Sequence, residues 1–431
     1  MPEVVRLLQD LIRFDTTNPP GHERACVLFI KKRLEAAGIP CRIFASHPDR
    51  PNLLARVRGR SSGGKRPLLL YGHVDVVPTA GQKWKHPAFA GKLIQGEVWG
   101  RGALDMKSGV AMYLDTILRA AREPLAGDLL LLVLSDEEAG GEAGAAFMAE
   151  QHAGALRGVR HALGEIGGWT QHMAGKRMYP IMLAEKQSCH VRATVHGPGG
   201  HASLRHTGGA MAKTASVLAT LDRRRLPVHI TPAARLMVRA LANALGGLKG
   251  LAVRQLLSPA LTDRILDRMG TEGRILDAVL HNTATATVIR GGTKVNVVPS
   301  EISIMLDCRV LPGFGPKHLL RELSTLLGPD VKFAVERWIP GGAKTDASQY
   351  DMLARVLREH DPGCHPYPIL VPACTDGRHL ARIGIQTYGF TPLRLPRRFD
   401  RYSLIHAADE RVPAAAVEWG TRVLWDAVRQ Y

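Results

Sequence analysis

The apolar run Leu68-Leu69-Leu70-Tyr71 passes through Gly72 and ends at His73-Val74-Asp75. A short apolar run closed by a glycine fits a buried strand. In extended chain, residues two apart share a side. His73 and Asp75 therefore fit a metal ligand and the carboxylate that holds its ring in one tautomer. The layout recurs. Trp99-Gly100-Arg101-Gly102 leads to Asp105, and Leu129–Leu134 ends at Asp136-Glu137-Glu138. Open α/β sheets bind ligands at the carboxyl ends of their strands, and here successive element ends carry metal-binding or acid–base residues.

The rest of the chain fits such a sheet. Residues 4–14 and 23–37 have helical apolar spacing, the second closed by Gly38. Residues 41–44 and 53–57 read as short strands, and Ser61-Ser62-Gly63-Gly64 as a turn. Residues 109–122 and 144–152 read as helices on either side of the strand 129–134. This alternation predicts a parallel-type α/β sheet. The texture changes near Glu185. Residues 190–195, 285–290, 295–298, 302–309 and 331–335 read as strands, and 208–221 and 317–327 as helices. That pattern describes an inserted α+β layer, and residues 226–281 add helices to it. At 431 residues the chain is long for one core. The expected division is a catalytic α/β domain in two parts, 1–184 and 341–431, around an insert spanning 185–340. The second catalytic part carries helices over 349–358 and 414–428.

Composition narrows the function. Lys and Arg number 57 against 39 Asp and Glu, a formal charge of +18. Nucleic-acid binding is the remote alternative that this charge raises. The basic residues are dispersed, however, and aromatic residues make up 5 %, too few for base-stacking platforms. No nucleic acid is expected as partner. No apolar run approaches the ~20 residues of a membrane span, so no membrane partner is expected. The opening residues show no secretory pattern, and the six cysteines form no C-x-x-C pair. A reduced, cytoplasmic protein is the expectation.

His73, Asp105, Glu138, Glu165 and His406 form the candidate ligand set. Each alone has an ordinary structural reading: a core histidine, a helix cap, solvated loop carboxylates. Together they are harder to dismiss, because a Glu-Glu pair at the end of a buried strand is costly unless a cation neutralises it. Two histidines and three carboxylates suit zinc, with cobalt or manganese as alternatives. Their number suggests two ions sharing one carboxylate. One further carboxylate must stay free to accept a proton from the attacking water, and adjacent Glu137 and Glu138 can divide these tasks.

Four ordered motifs carry a resemblance. They are Gly72-His73-Val74-Asp75-Val76-Val77-Pro78, Gly100-Arg101-Gly102-Ala103-Leu104-Asp105-Met106-Lys107, Ser135-Asp136-Glu137-Glu138 and His406-Ala407-Ala408-Asp409-Glu410-Arg411. They resemble the co-catalytic di-zinc metallopeptidases, the group of aminoacylase-1, carboxypeptidases G and S, acetylornithine deacetylase and succinyl-diaminopimelate desuccinylase. The resemblance implies that His73 and Glu165 hold one ion, Glu138 and His406 the other, and that Asp105 bridges them. Glu137 is then the general base, Asp75 orients His73, and the Asp105–Met106 peptide is cis. The implied fold is a phosphorylase/hydrolase-like catalytic α/β domain with an inserted ferredoxin-like α+β lid, through which a homodimer forms. The implied activity is hydrolysis of an amide in a dipeptide or N-acyl amino acid by a carboxypeptidase-like metallo-exopeptidase. The alternative is a biosynthetic N-deacylase of the acetylornithine or succinyl-diaminopimelate type. The 226–281 segment is more like carboxypeptidase S-type relatives.

Amide hydrolysis also needs groups that meet the substrate. His201, in Gly197-Pro198-Gly199-Gly200-His201-Ala202-Ser203, resembles the lid histidine that stabilises the oxyanion. A substrate carboxylate calls for a forked arginine. Asn296, Arg309 and Arg378, the last in Thr375-Asp376-Gly377-Arg378, are the substrate-binding candidates.

Overall fold

The computed structural model describes residues 1–60 and 65–431, the side chains of 271 and 272 apart. The turn expected at Ser61-Ser62-Gly63-Gly64 lies outside the described residues. The chain divides into two compact units. The first comprises Met1–Leu183, Asp346–Ile369 and Thr375–Tyr431; the second comprises Ala184–Thr345 and Leu370–Cys374. Among the described residues no helix is long and apolar enough to cross a membrane.

The first unit is built on a nine-stranded sheet. Its path runs Cys41–Ala45, Pro51–Val57, Leu129–Leu134, Leu68–His73, His161–Gly164, Gln386–Gly389, Lys176–Glu185 and His365–Val371, and Gln171–Met173 pairs with Lys176–Glu185. The expected parallel-type sheet holds only at its centre, where Leu129–Leu134, Leu68–His73, His161–Gly164 and Gln386–Gly389 run parallel. Around that centre the sheet is mixed. Cys41–Ala45 and Pro51–Val57 are joined by a short connection, which only an antiparallel pair allows. Pro51–Val57 is in turn antiparallel to Leu129–Leu134.

The apolar runs are continuous because both faces of the sheet are covered. Leu68, Leu70, Leu129, Leu131 and Val133 feed one core, with the helices Glu3–Ile12, Lys107–Arg122 and Ala414–Gln430. Leu69, Tyr71, Leu130, Leu132 and Leu134 feed the other, with Phe147 and Leu380. Each fully buried leucine contributes ~1.5–3 kcal/mol.

Register aligns the strand ends. His73 lies opposite Leu134, and Leu70 opposite Leu163. The chain therefore leaves the sheet at one edge with His73, Asp136-Glu137-Glu138 and Glu165. Gly164 makes the last of these possible: a Cβ there would overlap the Tyr71 ring. A three-stranded sheet of Lys92–Ile94, Glu97–Trp99 and Arg411–Pro413 pairs Trp99 with Arg411. It brings the 100–105 loop beside the 406–410 loop.

The second unit is an antiparallel sheet ordered Thr283–Arg290, Glu301–Val310, Gln187–His196, Val331–Ile339. Its helices Ala210–Arg223 and Pro316–Leu327 share a core with alternate strand residues such as Val191, Ala193, Ile304 and Leu306. Strand, helix, two strands, helix and strand in this order make a ferredoxin-like layer. The 226–281 segment adds helices Pro232–Leu245, Gly247–Arg254, Pro259–Met269 and Arg274–Leu280. Thr231 caps the first of them by accepting from the Ala234 N–H, with Pro232 in the opening turn.

Candidate metal centre

Five side chains converge in the first unit, His73 from a strand end and Asp105, Glu138, Glu165 and His406 from four separate segments. His73 closes its strand and is 1 % exposed. Its Nε2 lies 3.3 Å from Asp105 Oδ1 and 3.7 Å from Glu165 Oε2. His406 Nε2 lies 3.3 Å from Asp105 Oδ2 and 3.2 Å from Glu138 Oε1. One oxygen of Asp105 thus faces each histidine, as a carboxylate shared by two ions would. Ligand atoms of His73, Glu137 and Glu165 all lie within 4.8 Å of one another, as do those of His73, Asp105 and Glu138. The Asp105–Met106 peptide is cis.

The electrostatics follow from crowded carboxylates. Burial works against charge on His73, but Asp105, Asp75 and Glu165 outweigh it and raise its pKa well above the usual value. Asp105 and Glu138 raise the His406 pKa to about 10. Burial, then Glu165, pushes Glu137 well above the ordinary carboxylate range, and burial also raises Glu138. Among the described residues, the buried His73 Nε2 and Glu138 Oε1 have no hydrogen-bond partner. Unpartnered nitrogen and oxygen donors within a surplus of carboxylates fit divalent cations of hard to borderline character.

Asp75 does more than its spacing suggested. Its carboxylate is 3.3 Å from His73 Nδ1 and accepts from the backbone N–H of Glu137 and of Glu138, each at 3.1 Å. Asn18 Nδ2 donates to it at 2.8 Å. The Glu137–Ala139 turn, entered through Asp136 at φ 72°, is thereby tied to the His73 strand. Glu410 was not singled out from the sequence, yet it organises the neighbouring loop. It is fully buried and accepts from Arg101 Nη1 at 2.7 Å and from the N–H groups of Gly102, Leu104 and Asp105. Arg101 also donates to the carbonyls of His406 and Ala407. This pair laces the Asp105 loop to the His406 loop across about 300 residues of sequence, a distance that no local spacing signals. Asp376 was likewise passed over. It is 1 % exposed, and among the described residues neither carboxylate oxygen has a partner. Burial raises its pKa well above the usual range.

The substrate-binding candidates divide between the units. Arg378, in the first unit, is 5 % exposed; its Nη2 donates to Gly140 O at 2.8 Å and its Nε to His379 Nε2 at 3.1 Å. His201, Asn296 and Arg309 belong to the second unit. His201 is exposed and its Nδ1 accepts from the Ser203 N–H at 3.2 Å. A backbone N–H can only donate, so this bond places the ring proton on Nε2. The Asn296 carbonyl accepts from Ala202 N, which brings the two loops together. Arg309 forks onto Asp307, with Nε–Oδ1 at 2.8 Å and Nη2–Oδ2 at 3.0 Å.

Comparison with known proteins finds relatives over most of the chain. The probable carboxypeptidase S-like 2 of Dictyostelium discoideum is 26 % identical over 371 residues, covering 80 % of this chain and 68 % of its own length. Aminoacylase-1 of Pongo abelii is 25 % identical over 424 residues, covering 95 % of this chain and 91 % of its own. The structure of the M20 family metallo-carboxypeptidase Sso-CP2 from Sulfolobus solfataricus superposes with a TM-score of 0.68 at 17 % identity, over 100 % of this chain and 99 % of that one. Residues 69–430 match the peptidase family M20/M25/M40, a span that takes in every candidate ligand from His73 to His406, and the chain belongs to that family.

Proposed function

We propose that the chain is a zinc-dependent hydrolase of one amide bond in a dipeptide or N-acyl amino acid, a carboxypeptidase-like metallo-exopeptidase. The observation that carries this is Asp105, whose two oxygens each face a histidine, with Glu165 and Glu138 beside the same two rings. His73 and Glu165 would hold one ion, Glu138 and His406 the other, with Asp105 shared. Two bound divalent ions supply Lewis acidity to the scissile carbonyl and make the attacking water more acidic. Glu137 takes the water's proton and passes it to the leaving nitrogen. Asp75 holds the His73 ring. His201 donates its Nε2 proton to the developing oxyanion, and Asn296, Arg309 and Arg378 belong to the substrate-facing set.

In this reading the first unit is the catalytic domain and the second its lid. A homodimer through the lid is part of the proposal. It is supported by the edge strand Thr283–Arg290, where Val288 and Ile289 are exposed, because exposed edges invite pairing.

Zinc-loaded protein is expected to hydrolyse members of a panel of dipeptides and N-acyl amino acids, and to lose that activity on chelation. A panel with no turnover under zinc, cobalt or manganese overturns the reading. Elemental analysis is expected to find two ions per chain, and Asp105→Ala to reduce this to one or none. Unchanged content in that variant would refute the shared carboxylate.

A further inference from the structure

Arg401 begins the short helix Arg401–Leu404, five residues before His406, and Trp169 follows Glu165 by four. The Arg401 guanidinium carbon stands 3.8 Å from the centre of the Trp169 ring. Trp169 is 3 % exposed, so the platform beneath the guanidinium is fixed. Stacking holds a guanidinium through its face and leaves the N–H fork in its plane free for a planar acceptor.

That fork is unmet. Among the described residues the buried Arg401 Nε has no hydrogen-bond partner, and no carboxylate forms an ion pair with Arg401. Other arginines of the same unit are paired: Arg101 with Glu410, and Arg177 with both oxygens of Asp361. The arginines that sequence suggested as carboxylate anchors are engaged as well, Arg309 by Asp307 and Arg378 by Gly140 and His379. Burial lowers the Arg401 pKa, while Asp105 favours its charge. A desolvated cation with unmet donors is costly until an anion reaches it. The residue is partly exposed, so an incoming ligand has access.

We propose that Arg401, stacked on Trp169, is the docking point for a substrate carboxylate. The inference rests on the hydrolase reading and deepens it: the preferred substrate carries a carboxylate, on the leaving amino acid or on the acyl group. Trp169 acts as the positioning residue.

The test measures binding, not turnover. Metal-loaded Glu137→Gln protein is titrated calorimetrically with N-acetyl-leucine, N-acetyl-leucinamide and N-succinyl-leucinamide. A charge-assisted fork is expected to favour a carboxylate ligand over N-acetyl-leucinamide by about 10- to 100-fold. The ligand that shows the preference identifies which end of the substrate docks. Adding Arg401→Gln is expected to abolish the preference without changing affinity for N-acetyl-leucinamide or metal content, and Arg401→Lys to restore part of it. A preference that survives Arg401→Gln overturns the assignment, as does equal binding of all three ligands by the parent. Hydrolysis by the unmodified protein is scored separately. Arg401-dependent carboxylate binding without hydrolysis of the panel would overturn the hydrolase reading and leave the dock standing.

Discussion

Glu137→Gln is expected to lower kcat by about 10²–10⁴-fold while both ions stay bound. The amide keeps the shape of the side chain and removes its basicity. The local scaffold survives the change, because the turn is held through the backbone N–H groups of Glu137 and Glu138 on Asp75, not through the Glu137 carboxylate. Glu137 is distinguished from Glu138 by what faces it. Glu138 Oε1 meets His406 Nε2 at 3.2 Å, whereas Glu137 feels burial and the charge of Glu165 most strongly. Initial rates and elemental analysis on the same preparation check the assignment. Near-normal turnover would remove Glu137 as the base. Loss of an ion would make it a ligand, an outcome its proximity to His73 and Glu165 keeps open to test, and would transfer the base role to Glu138.

Much of this centre was legible because strands translate sequence into position directly. Leu68–His73 and Leu129–Leu134 read as apolar runs, and in the fold they are adjacent, parallel and in register to their last residues. Whatever follows them emerges together at one edge, which is why His73 and Glu137-Glu138 meet. The helices of the 226–281 segment were legible for a similar reason, through apolar spacing at helical period. The strands Lys176–Glu185 and His365–Val371 of the main sheet were not. Lys176–Glu185 lies between Gln386–Gly389 and His365–Val371, both distant in sequence, and a continuous apolar run does not by itself separate a buried strand from a buried helix segment.

The supporting polar groups were the least legible part. Glu410 and Arg101 each sit in a quoted motif, but their pairing spans 309 positions and depends on the Trp99–Arg411 register of the small sheet. Arg401 opens a helix of only four residues and Trp169 lies in a loop, and neither stretch has a readable period. Stacking of one on the other depends on how two segments distant in sequence meet, and only coordinates show it.

Glu410→Ala is expected to destabilise the first unit by about 3–5 kcal/mol, the cost of removing one partner from a buried ion pair. The arithmetic is one-sided. The substitution leaves Arg101 charged at 1 % side-chain exposure, and it strips acceptors from the N–H groups of the buried Gly102 and Leu104 and of the half-buried Asp105. Glu410→Gln offers no rescue, because its single carbonyl oxygen cannot accept from all four donors and its amide N–H₂ would face donors. The consequence reaches the metal centre through one bond. The Asp105 N–H that Glu410 holds at 3.2 Å fixes the backbone from which the Asp105 carboxylate projects between His73 and His406. Freed of that bond, Asp105 no longer presents both oxygens in fixed directions, and metal affinity is expected to fall about 10–100-fold, as when the groups that orient metal ligands are removed. Urea denaturation and metal titration of the same variant read the two effects separately. A stability change below about 1 kcal/mol, the range of an exposed pair, would mean that the Arg101–Glu410 pair does not lace the Asp105 and His406 loops together.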